Sequence, residues 1–258
     1  MTQRVLITGA AGGMGTLLRP RLARPDRVLR LLDLEPVPPG DDVEVVTASV
    51  TDPAAMAAAC QDVDVLIHLG GHSREAPWAD ILAVNIDGTY RVLEAARHAG
   101  VRLVIFASSN HAVGFQPAAP APDGLFPRPD TYYGVSKVAG EALGSLYHDR
   151  YGLDVLCVRI GTCVERPVTE RHLTTWLSPD DCARLFEAAI ALPSLGFRVV
   201  WGASGNTRGL YSLDGARALG YEPRDDAESY AADVTPASEL DGEYLGGAEF
   251  CGRETDFS

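Results

Sequence analysis

The sequence predicts an α/β protein built on a doubly wound parallel sheet with a small substrate-binding cap. Three observations support this prediction: strand-like runs alternate with helical stretches six times, a glycine-rich turn follows the first run directly, and 258 residues with 46% hydrophobic side chains can bury one large core. The predicted strands cover residues 4–8, 27–33, 43–47, 64–69, 103–107 and 153–160. Regularity fades after residue 163, so we expect a sheet-forming region at 1–163 and a cap at 164–258 that does not fold independently.

The charge and composition exclude several classes of partner. The net charge of −13 argues against binding to nucleic acid or to an anionic membrane, because both carry negative charge themselves. No apolar run approaches the roughly 20 residues of a membrane span, and the chain enters a strand without a signal peptide. The five cysteines are scattered and form no CxxC pair, which indicates reduced thiols in a cytoplasmic protein and neither a zinc knuckle nor a disulfide framework.

The turn after the first strand has the spacing of a dinucleotide-binding loop. Gly9, Gly12 and Gly15 permit a tight turn, a close approach of backbone to a pyrophosphate, and close packing of the next helix on the strand. Free N–H groups at the start of that helix would then face the phosphates. The alternative is a plain strand-turn-helix unit, which we consider less well supported because both flanking elements are present.

An acidic residue at the end of the second strand favours NAD over NADP. Asp33 lies 18 residues after Gly15, close to the spacing at which a carboxylate binds the adenosine ribose 2′-hydroxyl. That carboxylate would repel a 2′-phosphate, and the neighbouring Leu34 offers no positive charge to offset it. The alternative role for Asp33 is a helix cap or a solvated loop position.

The candidate catalytic residues are Tyr133, Lys137 and Ser109. Residues four apart share a helix face, so the ammonium of Lys137 is expected to lie near the phenol of Tyr133 and to lower its pKa from about 10. Ser109 follows the fifth strand, where open α/β sheets bind their ligands, and its hydroxyl could hold the oxygen that Tyr133 deprotonates. For the adjacent Ser108 we expect capping or turn chemistry instead, and His68, alone in an apolar strand, is expected to be a packed core residue.

Taken together, the GxxGxxG turn, Ser109 and Tyr133-xxx-Lys137 resemble the extended short-chain dehydrogenase/reductase family, which has a Rossmann fold, over roughly residues 1–165. Within this family the chain resembles the bacterial uronate dehydrogenases most strongly. That resemblance covers almost the whole chain. The segments that carry it are 68–73, 107–111, 159–163, Arg171, 175–176 and 200–204.

The resemblance implies an NAD-dependent oxidation of the anomeric carbon of D-glucuronate or D-galacturonate, which gives an aldaric acid lactone. Tyr133 would be the general base, with Lys137 lowering its pKa and holding the nicotinamide ribose. Arg171 would clamp the sugar carboxylate as a bidentate partner. The remaining implied substrate residues are Ser73, Ser109, Asn110, His111 and Thr162. The implied cofactor residues are Gly9, Gly12, Gly13, Met14, Gly15, Asp33, Ser49, Val50, Leu69, Gly70, Gly71, Tyr133, Lys137 and Ile160.

Met14 and Ser49 depart from the pattern of the family around the cofactor, at positions that concern the pyrophosphate and adenine contacts. A nucleotide-sugar epimerase or dehydratase is the main alternative, although few basic residues are available for two phosphates. A non-catalytic dinucleotide sensor is a remote one, because such modules tend to lack the Tyr/Lys pair. The preferred uronate is left open, and a homo-oligomer is expected.

Overall fold

A parallel sheet of seven strands runs through the molecule, with strand order β3-β2-β1-β4-β5-β6-β9. The computed structural model describes residues 2–40, 42–236 and 243–252. The strands of this sheet are β1 (Gln3–Thr8), β2 (Arg27–Asp33), β3 (Val43–Thr47), β4 (Val65–His68), β5 (Leu103–Ser109), β6 (Asp154–Ile160) and β9 (Phe197–Gly202). Because the chain continues to opposite sides of β1, the carboxyl ends of β1 and β4 border the crevice where such sheets bind ligands.

Helices cover both faces of the sheet. They are α1 (Gly13–Leu22), α2 (Pro53–Ala59), α3 (Trp78–Asp80), a π-helical segment (Ile81–Asp87), α4 (Gly88–Ala99), α5 (Tyr132–Tyr151), α6 (His172–Thr175), α7 (Pro179–Ala191), α8 (Asp214–Arg217) and α9 (Ala248–Cys251). Short 3₁₀ turns lie at Asn110–Val113 and Ala227–Tyr230, and β7 (Thr162–Cys163) pairs with β8 (Trp176–Leu177) in a separate ribbon. In the described parts of the chain, no helix is both long and apolar enough to cross a membrane.

The core is divided into two layers by the alternation of side chains along the strands. Val5 and Ile7 of β1 pack on one face together with Leu18 of α1 and Phe186 of α7. Leu6, between them in sequence, packs on the opposite face with residues of α2, α4 and α5. Successive side chains of a strand point to opposite faces, so a sheet covered on both sides has a nearly continuous apolar sequence.

The structure confirms the predicted parallel α/β sheet and differs from the sequence prediction in its last strand. The run at residues 197–201, expected in the cap, forms β9 and pairs with β6. Helix α7 precedes it and packs beside α1, so residues 179–202 add one more helix-strand unit to the sheet. The addition covers the edge that β6 would otherwise expose. The predicted cap at 164–258 also includes residues 237–242 and 253–258, which lie outside the described residues.

Candidate active site

The glycine-rich turn connects β1 to α1 through close backbone contacts. Gly9 has φ of 70°, and a Cβ atom there would lie 2.7 Å from the backbone nitrogen of Gly70. A side chain at Gly15 would overlap the carbonyl oxygen of Gly9. Helix α1 begins at Gly13, and its N-cap residue is Gly12. Because this glycine has no side chain, no capping side chain accepts hydrogen bonds from the first N–H groups of the helix. The turn therefore fits a pyrophosphate at the positive end of a helix.

The carboxylate of Asp33 lies beside this turn. Its Oδ2 accepts a hydrogen bond of 2.8 Å from the backbone N–H of Ala11. The spatial proximity inferred from sequence spacing is therefore present. Ser49, in contrast, uses its hydroxyl locally, 2.7 Å from the hydroxyl of Thr51. Val50 is buried against Gly70, next to the turn.

The other predicted cofactor residues line the carboxyl edge of the sheet. Leu69, Gly70 and Gly71 follow β4 directly, Met14 in α1 packs against the core, and Ile160 ends β6 in register with Ser109. An acidic residue beside a glycine turn and an uncapped helix start together form a site that fits a dinucleotide.

Tyr133, Lys137 and Ser109 come together at the carboxyl end of β5. The Lys137 ammonium lies 5.2 Å from the centre of the Tyr133 ring and donates a hydrogen bond of 2.8 Å to the carbonyl oxygen of Ala107. The hydroxyl of Ser109 donates to Oδ1 of Asn110 and accepts from the N–H of His111. Strand β5 extends through Ser109, two residues beyond its predicted end, and this extension positions the hydroxyl.

Burial dominates the ionisation of both catalytic candidates. It raises the pKa of Tyr133 to about 12, with the Asp130 carboxylate acting in the same direction and a hydrogen bond with Ser109 acting against it. Burial lowers the pKa of Lys137 to about 8, because the ammonium is removed from water. The protein alone therefore favours a neutral phenol, contrary to the direction expected from the Tyr/Lys pair.

Two residues that the sequence analysis did not identify hold the start of α5, the helix that carries Tyr133. The carboxylate of Glu75 accepts hydrogen bonds of 3.2 Å and 2.7 Å from the N–H groups of Tyr132 and Tyr133. The hydroxyl of Thr131 caps the same helix by accepting from the N–H of Gly134. A negative charge and a capping hydroxyl both stabilise a helix start. Thr131 could have been found as a cap signal, but Glu75 lies 58 residues from Tyr133 and gives no local signal.

The predicted sugar-binding groups Asn110 and Arg171 meet at one backbone carbonyl. The oxygen of Leu245 accepts a hydrogen bond of 2.9 Å from Nδ2 of Asn110 and one of 2.6 Å from Nη2 of Arg171. Segment 243–252 thus crosses the carboxyl edge of the sheet and touches groups from two distant parts of the chain.

His111 faces both Tyr133 and this segment. Its ring centroid lies 5.7 Å from that of Tyr133 and 4.5 Å from that of Phe250. Its Nδ1 is 2.8 Å from Oδ2 of the buried Asp130, a partner that the sequence analysis missed. An acid near a histidine in space but 19 residues away in sequence leaves no recognisable pattern.

The last two predicted substrate residues lie in different environments. The hydroxyl of Thr162 is 3.0 Å from that of Thr175, whose own hydroxyl donates to the carbonyl of Arg171. Thr162 is thereby linked to the anchor of the candidate carboxylate clamp. Ser73 is exposed in the loop after β4, and no hydrogen bond joins it to the other site residues in the described chain.

Among known proteins, the chain is similar over almost its whole length to two that are named as sugar dehydrogenases. Uronate dehydrogenase of Pseudomonas putida is 44% identical over 253 residues, which cover 95% of this chain and 94% of that protein. The NAD-dependent glucose-6-phosphate dehydrogenase of Haloferax volcanii is 40% identical over 93% of this chain and 100% of that protein. A crystal structure of Agrobacterium tumefaciens uronate dehydrogenase, a tyrosine-to-alanine variant complexed with NAD, superposes with a TM-score of 0.93 at 39% identity, covering 99% of this chain and 98% of the other.

These similarities confirm the resemblance that the sequence motifs indicated. The profile of the NAD dependent epimerase/dehydratase family matches residues 5–191, which include the glycine turn, Asp33 and the Tyr133/Lys137 pair. The chain therefore belongs to the NAD dependent epimerase/dehydratase family.

Proposed function

We propose that the protein is an NAD-dependent uronate dehydrogenase, which oxidises C1 of cyclic D-glucuronate or D-galacturonate to the aldaric acid lactone. The observation that carries the proposal is the placement of Tyr133, Lys137 and Ser109 at one strand end, with Arg171 and Asn110 joined at a common acceptor nearby. Similarity to uronate dehydrogenases over almost the whole chain supports the same reaction.

In the proposed mechanism, Ser109 holds the C1 hydroxyl and Tyr133 accepts its proton. Bound NAD would supply the acceptor for the C1 hydride and, in its oxidised form, a positive charge. Such a charge is needed because burial leaves the pKa of Tyr133 at about 12. We therefore infer that the phenolate forms in the liganded protein, where Lys137 provides a second positive charge. The sugar ring stays closed, so the first product is a lactone.

The carboxylate of the substrate is proposed to bind at Arg171. In the structure its Nη2 donates to the carbonyl of Leu245, a neutral acceptor. A carboxylate accepts stronger, charge-assisted bonds from guanidinium than a carbonyl does. A uronate can therefore compete with Leu245 for this donor. Arg171 also supplies local positive charge in a protein whose net charge of −13 would repel an anion.

A phosphorylated aldose is the second candidate substrate. The Haloferax relative, named a glucose-6-phosphate dehydrogenase, matches 93% of this chain. A guanidinium such as that of Arg171 binds phosphate as readily as carboxylate, so this residue does not separate the two substrates. The C1 chemistry of Tyr133 would be the same for both.

The decisive experiment follows NADH absorbance with glucuronate, galacturonate, glucose, glucose 6-phosphate and UDP-glucose in parallel. We expect turnover with at least one uronate. Tyr133→Phe removes only the ionisable oxygen, so it should reduce turnover about a hundredfold or more while NAD binding persists. Turnover of glucose 6-phosphate alone would support the second candidate. Wild-type rates in the Tyr133→Phe variant would exclude this residue as the base.

We further propose a cytoplasmic homo-oligomer. The five cysteines are unpaired, which suits a reducing compartment. Helices α4 and α5 expose Tyr90, Leu146 and Tyr151, each with 45–49% of its surface accessible. Exposed aromatic and aliphatic side chains on two neighbouring helices are suited to contact a second subunit.

A further inference from the structure

A buried hydroxyl beside the candidate sugar site has no partner. Tyr211 is 8% exposed, and its phenol oxygen has no hydrogen-bond partner among the described residues. Buried polar groups are nearly always paired, because an unpaired one has lost its hydrogen bonds to water without replacement. The exception therefore points to a ligand that is absent from the isolated chain.

The ring of Tyr211 is held in a fixed orientation. It stacks on Trp201 with ring centroids 4.0 Å apart and planes inclined by 1°. The indole N–H of Trp201 donates to the carbonyl of Pro122, and this hydrogen bond fixes the indole on which Tyr211 stacks. The neighbours of Tyr211 in sequence pair with Ala121 on both sides, through hydrogen bonds of 2.8 Å. The phenol is thus positioned before any ligand arrives.

The hydroxyl lies with the groups expected to bind the sugar. The ring edge of Tyr211 is 3.0 Å from the position that a Cβ of Gly161 would occupy, next to Thr162. Tyr211 also shares a buried cluster with Leu245, whose carbonyl holds Asn110 and Arg171. Burial raises the pKa of Tyr211 to about 12, and the Arg171 charge and the side-chain amide of Asn110 act against it. The Asn110 side chain is close enough to stabilise the phenolate, but it forms no hydrogen bond of acceptable geometry with the phenol oxygen, so the protonated phenol keeps a free donor at neutral pH.

We propose that Tyr211 is a specificity-determining residue whose hydroxyl donates a hydrogen bond to the carboxylate that Arg171 binds. The inference rests on the proposed function and adds a second donor to its anion site. An arginine and a neutral phenol at one carboxylate give two charge-assisted bonds, one from each side chain. A neutral sugar could offer the phenol at most an uncharged hydroxyl acceptor, which forms a weaker hydrogen bond than a carboxylate does.

The test compares Tyr211→Phe with wild type. We expect KM for the preferred uronate to rise about 10- to 100-fold, with KM for NAD unchanged, because the variant loses a hydrogen bond to a charged group. The melting temperature should stay the same or rise, since the variant keeps the stacking on Trp201 and loses an unpaired hydroxyl. Tyr221→Phe is the matched control: its buried hydroxyl donates to the carbonyl of Ala203, so its removal should lower the melting temperature and leave KM unchanged.

The outcomes distinguish a failure of the proposed function from a failure of this inference alone. A wild-type protein that is inactive on every uronate would overturn the proposed function and this inference with it. Normal wild-type activity, together with an unchanged uronate KM in Tyr211→Phe, would overturn the inference alone. An equal rise of KM for uronate and NAD would indicate a structural role for Tyr211 and would also overturn it.

Discussion

At the scale of single residues, His68 determines part of the response to acid. The side chain is buried in β4, with Nδ1 2.8 Å from the hydroxyl of Thr8 and Nε2 3.1 Å from that of Thr89. Thr89 donates its own proton to the carbonyl of Asn85, so its oxygen accepts from Nε2 and a neutral imidazole satisfies the network. Burial, with a smaller contribution from the Lys137 charge, lowers the pKa of His68 to about 3.

This pKa predicts a loss of stability as the pH falls. In the unfolded chain the histidine binds a proton below about pH 6.5, whereas the folded protein resists protonation down to about pH 3. The unfolded state therefore gains protons between these values, and His68 alone should lower the free energy of unfolding by roughly 2 kcal/mol between pH 7 and 5. Urea unfolding of wild type and His68→Gln at both pH values measures the difference. Equal losses in the two proteins would show that His68 is not responsible.

The residues predictable from sequence are those with a local pattern. Tyr133 and Lys137 have helical spacing, and Asp33 has a fixed distance from the glycine turn. Tyr211 and Glu75 act through contacts between segments that are far apart in sequence. Their roles depend on the folded arrangement, which local spacing does not encode. The sequence also predicts the wrong direction for the pKa of Tyr133 in the isolated chain, because burial, which local spacing does not reveal, raises that pKa.

At the scale of elements, a buried ion pair holds α5 against the sheet. The guanidinium of Arg159 in β6 forms two hydrogen bonds, of 2.9 Å and 2.7 Å, with the carboxylate of Glu141 in α5. Ser108 in β5 donates to the same carboxylate at 2.6 Å, so this serine bonds a helix and does not cap a turn as predicted. Three elements, β5, β6 and α5, are therefore connected behind Tyr133.

Glu141→Gln should destabilise the protein by about 3–5 kcal/mol, because it leaves the buried charge of Arg159 without a counter-charge. Urea unfolding at neutral pH measures this loss. The double variant Glu141→Gln/Arg159→Gln removes both charges and should recover part of the stability. The single variant Arg159→Gln completes the comparison. If the double variant loses as much free energy of unfolding as the two single variants together, or more, the pair does not act through charge compensation.

The positions of the strands along the chain are predictable from the sequence. Which strands pair with each other in the sheet is harder to predict. All six predicted strands exist within two residues of their expected ends. The run at 197–201 was recognised as a strand but placed in the cap, since its sequence does not reveal which strand it will pair with. Pairing with β6 depends on the uncovered edge of the assembled sheet.

At the scale of the whole molecule, the acidic surface opposes folding. Thirty-five acidic residues against 22 basic ones give a net charge of −13, and like charges repel more strongly in the compact state. Several surface ion pairs, such as Arg208 with Glu228, offset this repulsion only in part, because exposed pairs contribute little.

The melting temperature near neutral pH should therefore rise when sodium chloride increases from about 0.01 M to about 0.5 M, as the Debye length shortens from about 30 Å to a few ångströms. The same titration near pH 5, close to the isoelectric point of about 4.8, is the control. There the net charge is small, so the rise should be much weaker. An equal rise at both pH values would point to a salt effect unrelated to net charge.

The contact of segment 243–252 with Asn110 and Arg171 has a consequence for how the protein tolerates sequence change. Leu245 binds Asn110 and Arg171 through its backbone carbonyl, so these two hydrogen bonds do not use its side chain, which packs in the buried cluster with Tyr211. A further constraint lies two residues later. Gly247 has φ of 86°, and a Cβ there would come within 2.8 Å of the Arg171 guanidinium carbon. Gly247, which has no side chain, therefore limits which variants keep Arg171 in its present position.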